Sequence, residues 1–271
     1  MRLFAFVLPV GSLALAAAFT AACGDDDAGA GTVGPGADGG DAQVDAPAVV
    51  TNDSESKQSG KIIRAQTEDE GVEGATVTIA GKTVTTNAAG DYEIVVPRST
   101  PYRMTVAGEG FYKLLEQEWI VKKEALERGS TNLLPTATAN LLAGLLPGRD
   151  PAKGLVVVKV NPLPPCTTEE GATLAIDPPG ESKLTYFAGS LPSSQQTSVQ
   201  AGSTFSAAFY NVDVGVPLSV VVQSPQCAQV AFPVEVGDVT YTGALSAEAG
   251  EALAYFRVYI QDTPIADAGA D

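Results

Sequence analysis

Residues 75–96 read ATVTIAGKTVTTNAAGDYEIVV, two alternating runs with a short strand and two turns between them. Ala75 to Ile79 alternates apolar and hydroxyl residues, and Tyr92, Ile94 and Val96 share one face of the second run. That period of two is the signature of a half-buried β-strand. Gly81 and the segment Asn87 to Gly90 supply residues that tolerate the positive φ of tight hairpin turns. Pro97 to Pro101 closes the second run, and Tyr102 to Val106 opens another strand. Short strands at roughly ten-residue spacing, with turn residues between them, predict an antiparallel β-sandwich.

Further blocks flank this stretch. Gly60-Lys61-Ile62-Ile63, Val72-Glu73-Gly74-Ala75-Thr76-Val77, Thr85 to Tyr92, Tyr102 to Val106 and Gly110-Phe111 follow one another in that order. Together they resemble the carboxypeptidase regulatory-like family. The resemblance implies a transthyretin-like (prealbumin-type) sandwich over residues 59–121, an accessory or binding module without a shared catalytic site.

The second half repeats part of this pattern. Glu170-Gly171-Ala172-Thr173-Leu174-Ala175-Ile176 matches Glu73 to Ile79 with only Leu for Val and Ala for Thr. Each block follows a glycine-led strand, at Gly60 and at Gly154, so a second, diverged sandwich is expected over residues 154–262. Its longer segment between Pro178 and Ser203 reads as an extended hairpin, with added strands through Ala228–Val236 and Leu253–Ile260. Glu118 to Val121 reads as the last strand of the first sandwich. Residues 122–153 read as a helical connector. Lys122 to Arg128 is charged and helix-favouring, and Thr136 to Leu146 places Leu141, Leu142, Leu145 and Leu146 on one helical face. That face is expected to pack between the domains or to dock a partner. The predicted fold class is mainly β, with two sandwiches joined by a short helical connector.

The N-terminus carries an address. Arg2 precedes an apolar run from Leu3 to Phe19, then Thr20-Ala21-Ala22-Cys23, so residues 1–22 read as a signal peptide. Ala21, Ala22 and Cys23 resemble the bacterial lipoprotein signal, which implies lipidation of Cys23 and anchoring to a membrane of the cell envelope. The Asp25–Asp27 run resembles the acidic surface-export signals of some bacterial lipoproteins, which implies the outer membrane or cell surface. Residues 23–58 are a Gly-, Ala-, Asp- and Pro-rich stretch in which eight acids are opposed only by Lys57. Such a segment buries too little to offset its ordering entropy and is expected to form a disordered, extended tether. Residues 263–271 read as a disordered tail. Two motifs in the tether, Gly29 to Gly34 (GxGxxG) and Ser54 to Lys57 (SxxK), lack the strand and helix context their chemistry requires.

Composition removes whole classes of function. The 271 residues carry 16 Lys+Arg against 32 Asp+Glu, a formal net charge of −16, with no histidine. That charge repels phosphate, so no nucleic-acid partner is expected. Without histidine there is no Ser-His-Asp or Cys-His nucleophile and no His-containing metal site. With Cys23 lipidated, Cys166 and Cys227 remain as a disulfide pair in an exported protein, two free thiols being the alternative. No cofactor or metal is expected. Phe111, Tyr112 and Trp119 are candidate ligand contacts as a platform for sugar rings, the alternative being that they fill the core. The expected role is a non-enzymatic, lipid-anchored envelope protein displaying binding or scaffolding modules to a protein or glycan partner. The rival readings are a carbohydrate-binding accessory or carboxylate-only glycan hydrolase, and a structural subunit of an envelope complex.

Overall fold

The computed structural model describes residues 54–67 and 69–262; the expected signal peptide, Cys23, the expected tether through Asp53 and the expected tail 263–271 lie outside the described residues. The first half forms β1 (Glu55–Arg64), β2 (Thr76–Ile79), β3 (Lys82–Thr85), β4 (Asp91–Pro97), β5 (Met104–Ala107), β6 (Lys113–Glu116), β7 (Trp119–Val121) and β8 (Ala125–Leu133). Helix α1 (Thr136–Gly144) follows. The second half forms β9 (Gly154–Leu163), β10 (Thr173–Asp177), β11 (Lys183–Ala188), β12 (Leu191–Ser193), β13 (Ala207–Val212) and β14 (Ser219–Gln223). It ends with β15 (Ala228–Gln229), β16 (Val234–Val236), β17 (Val239–Tyr241) and β18 (Ala252–Gln261).

The opening stretch folds as its pattern requires. Ala80 and Gly81 both take positive φ, 51° and 76°, and join β2 to β3 in a two-residue hairpin. In the first sandwich β1 pairs antiparallel with β4 and parallel with β8. The opposing layer runs β3-β2-β5-β6, all antiparallel. Ile62, Tyr92, Ile94 and Val96 from one layer meet Val77, Ile79, Met104 and Val106 from the other in a buried core.

The second sandwich uses the same plan. β9 pairs antiparallel with β13 and parallel with β18, and β10 with β14 forms the opposing layer. The repeated sequence block has the same local geometry in both places. Gly74 and Gly171 both have positive φ, 73° and 79°. Gly74 N–H donates to the Thr86 carbonyl and Thr86 N–H to that of Ala75, just as Gly171 N–H donates to Val199 and Val199 N–H to Ala172. Ala75 and Ala172 are both fully buried.

The two sandwiches are fused edge to edge. β18 runs parallel to β6 from Ala252↔Lys113 to Tyr255↔Glu116, giving one ten-stranded sheet with the path β12-β11-β13-β9-β18-β6-β5-β2-β3. Each sandwich contributes a different layer to that sheet, so the two cores lie on its opposite faces. Leu114 enters one core and Leu115 the other; Leu155 and Val157 belong to the first, Val156, Val158 and Val160 to the second. Strands buried on both faces read as continuous apolar runs, which explains the unbroken Leu155 to Val158.

Several expectations need correction. Lys122 to Arg128 is not helical and leads into β8. The charged composition that suggested a helix is equally suited to an edge strand, whose solvent-facing charges deter unwanted pairing. Glu118–Val121 does not close the first sandwich; β7 pairs with β17 in a separate sheet of order β16-β17-β7. The sandwiches are not purely antiparallel, because each ends on a strand parallel to its first. β1 begins at Glu55, ahead of the expected boundary at Ser59. Helix α1 is present, but its leucines divide: Leu146 is buried and Leu142 half-buried, while Leu141 is 70% and Leu145 48% exposed. The segment after Pro178 forms the expected hairpin, β11–β12.

Candidate functional site

The predicted aromatic platform is not a surface. Trp119 is fully buried, Tyr112 is buried and Phe111 is half-buried. Trp119 meets Tyr102 edge-on with ring centroids 4.7 Å apart, and the Arg128 guanidinium lies over its ring, 4.1 Å from the centroid. The Tyr112 hydroxyl donates to Asn140 Oδ1 at 2.8 Å. These rings pack in or against the core: the alternation of β7 turns Trp119 inward, and Tyr112 is buried just ahead of β6.

Around Trp119 lies a buried polar hub. Arg128 donates to Glu116, with side chains 10% and 3% exposed. The Arg257 backbone N–H donates to the Gln117 side chain, and the Arg257 guanidinium lies over Tyr255 at 4.8 Å and Tyr241 at 5.6 Å. Burial opposes the charge on Arg257, but Glu116 and the neighbouring phenols outweigh it and raise its pKa. Gln58 Nε2 donates to the Tyr102 hydroxyl at 2.5 Å, and burial pushes the Tyr102 phenol up to about 12. The hub joins β1, β6, β7, β8, β17 and β18, with the side chains of Gln58, Glu116, Gln117 and Trp119 buried at its centre. The period-two spacing of Tyr255, Arg257 and Tyr259 was the available sequence signal for its β18 members.

An open cleft of about 710 Å³ lies at the first sandwich, lined among others by Ser59, Lys61, Asn87, Asp91, Glu93 and Glu127. Its carboxylates are exposed. Glu93 is paired with Lys57 at 2.6 Å, and Lys61 with Asp69 at 2.8 Å. Asn87 is committed to its turn, its Oδ1 accepting from the N–H groups of Ala89 and Asp91. A glycosidase needs one carboxyl kept protonated by an apolar setting. These acids have none, so the cleft offers hydrogen bonds to a polar partner and no acid–base pair.

Cys166 and Cys227 form a disulfide with Cα atoms 6.2 Å apart, closing a loop of 61 residues. Such a loop stabilises by about 4 kcal/mol in the chain-entropy account. Asp262 Oδ1 lies 3.3 Å from Cys227 Sγ. With the sulfurs bonded to each other, neither offers a thiolate to a metal. Beside the bridge, the free edge of β14 is capped by one side chain: Gln229 Oε1 accepts from Val222 N–H at 2.7 Å and its Nε2 donates to the Val220 carbonyl at 2.9 Å. No helix among the described residues is long and apolar enough to cross a membrane.

No family model matches the chain, and no curated protein matches it. Among solved structures it is similar to the TIE protein of Bacillus anthracis, at 8% identity over 77% of this chain and 35% of that one, with a TM-score of 0.26. It is similar to a streptococcal ancillary pilin at 10% identity over 79% of this chain and 64% of that one, with a TM-score of 0.25. A minor pilin of Streptococcus agalactiae gives 11% identity, 80% and 100% coverage and a TM-score of 0.21. The chain thus spans about a third of the TIE protein and less than two thirds of the ancillary pilin. Likenesses of this size assign neither family nor activity.

Proposed function

We propose that this chain is a non-enzymatic scaffolding protein of the cell envelope, held to a membrane through lipid on Cys23 and presenting a fused pair of β-sandwiches. The observation that carries the reading is the single ten-stranded sheet. It makes one stiff body of two modules and leaves the polar cleft on the outside. Export is supported by the disulfide, since such bridges persist in oxidising compartments. The test is palmitate labelling and membrane fractionation of the full chain against Cys23→Ser. Labelling and membrane association should both be lost in the variant; unchanged behaviour refutes the anchor.

A second reading, a subunit of a larger envelope assembly, is favoured by Leu141 on α1 and Leu145 at its C-terminal cap, both exposed. Leu141→Asp with Leu145→Asp should leave unfolding unchanged and abolish co-purification of a defined envelope protein. Retained co-purification would remove that reading. A sugar platform at Trp119 finds no support, because the ring is inside.

A further inference from the structure

We propose that the Cys166–Cys227 disulfide is a clasp on one strand end, keeping an edge of β18 closed, and that thiol–disulfide exchange opens that edge.

The argument starts from who pairs with β18. On one side β9 accompanies it from Ala254↔Val156 to Gln261↔Leu163. The other side is divided. β6 covers Ala252 to Tyr255, and β15 covers only Ile260 and Gln261. β15 is two residues long, with one further bond from Val230 N–H to the Tyr259 carbonyl. So short a strand is not held by its own ladder.

The Gln229 side chain ties β15 to β14, and the bridge adds a covalent hold toward β9 and β18. Cys166 lies just beyond the end of β9, and Cys227 immediately precedes β15. The end of β18 lies between those two strands, so the covalent link spans it from one neighbour to the other. Gln261 is fixed in the same corner, its Nε2 donating to the Pro164 carbonyl at 2.8 Å. With the link intact, β15 cannot drift from β18 without straining β9.

Opening requires a dithiol reductant. Its two S–H groups become a disulfide, the Cys166–Cys227 bond breaks, and each cysteine sulfur takes up one proton. β15 then detaches and uncovers the backbone of β18 from Tyr259 to Gln261, beyond the point where Gln117 caps Arg257 N–H. The result is a free strand edge, the kind of surface to which an extended peptide adds as a further strand.

Hydrogen exchange read by mass spectrometry on the full chain tests this, with the bridge intact, after reduction by dithiothreitol, and in Cys166→Ser/Cys227→Ser. The expected result is exchange about tenfold faster or more in the Ala228–Val230 and Tyr259–Gln261 segments. Protection at Ala252–Tyr255 and in β2 and β5 should be kept. Unchanged exchange at β15 and the end of β18 after reduction overturns the clasp. So does uniform acceleration across the second sandwich, which would make the bridge a general staple. Unchanged protection of β2 and β5 in the reduced wild-type chain shows that folding persists should the double variant fail to fold.

Discussion

β8 and β18 hold the same place in their sandwiches: each is the last long strand, each runs parallel to the first strand, and each opens with Ala-Leu. They differ in what lies beyond. β8 ends its sheet, and of its nine residues only Leu133 is buried. β18 has neighbours on both sides and buries all but Tyr255, Arg257 and Gln261. One plan therefore yields a charged border in one module and a joint in the other. The composition of the strand, ALERGSTNL against ALAYFRVYIQ, follows that difference. A topological position does not fix how apolar a strand must be; its second neighbour does.

The contrast is open to attack. Phe256→Ala in β18 should cost about 3–5 kcal/mol in urea unfolding, while Leu126→Ala in β8 should cost about 1 kcal/mol. Equal losses would break the comparison. Arg128 from β8 and Arg257 from β18 both address Glu116, so Glu116→Ala strands buried positive charge from both strands. A loss of about 3–5 kcal/mol is expected, with Glu116→Leu paired with Arg128→Met recovering much of it. A smaller effect lies at alkaline pH. The Tyr102 phenol is raised by burial from 10.0 to about 12, so the folded state holds its proton more firmly than the unfolded state. The corresponding stability is complete below pH about 10 and fades as pH rises toward about 12, by order 1–2 kcal/mol. Tyrosinate absorbance followed alongside unfolding should show it, and Tyr102→Phe should flatten the slope. The smallest change expected is for Gln229→Ala, about 1 kcal/mol, because Val222 N–H loses its acceptor. Concentration-dependent association of that variant by sedimentation would sharpen the comparison, as it would give β14 the open edge that β8 covers with charge.

Much of this architecture was legible in the chain. The alternation in Ala75–Val96, the Ala80-Gly81 turn and the repeated Gly-Ala-Thr block each act through neighbours close in sequence, and the pairing of Cys166 with Cys227 followed from counting. β8 was missed because Lys122 to Arg128 carries residues favourable to a surface helix and to a protected edge alike. The joint was missed because an edge selects its partner through tertiary geometry; its traces in the sequence were the adjacent Leu114-Leu115 and the unbroken run Leu155 to Val158. At the candidate site, strand phase decided what composition could not. Trp119 looked like a ligand contact by residue type, and the alternation of β7 turns it inward.

The parallel course of β9 and β18 has a mechanical meaning. Tension along β18 relative to β9 loads their ladder in shear, so the bonds from Ala254↔Val156 to Gln261↔Leu163 must yield together. Peeling a hairpin such as β2–β3 breaks its bonds one at a time. A body joined in this way resists pulling along its strands far better than prying across them.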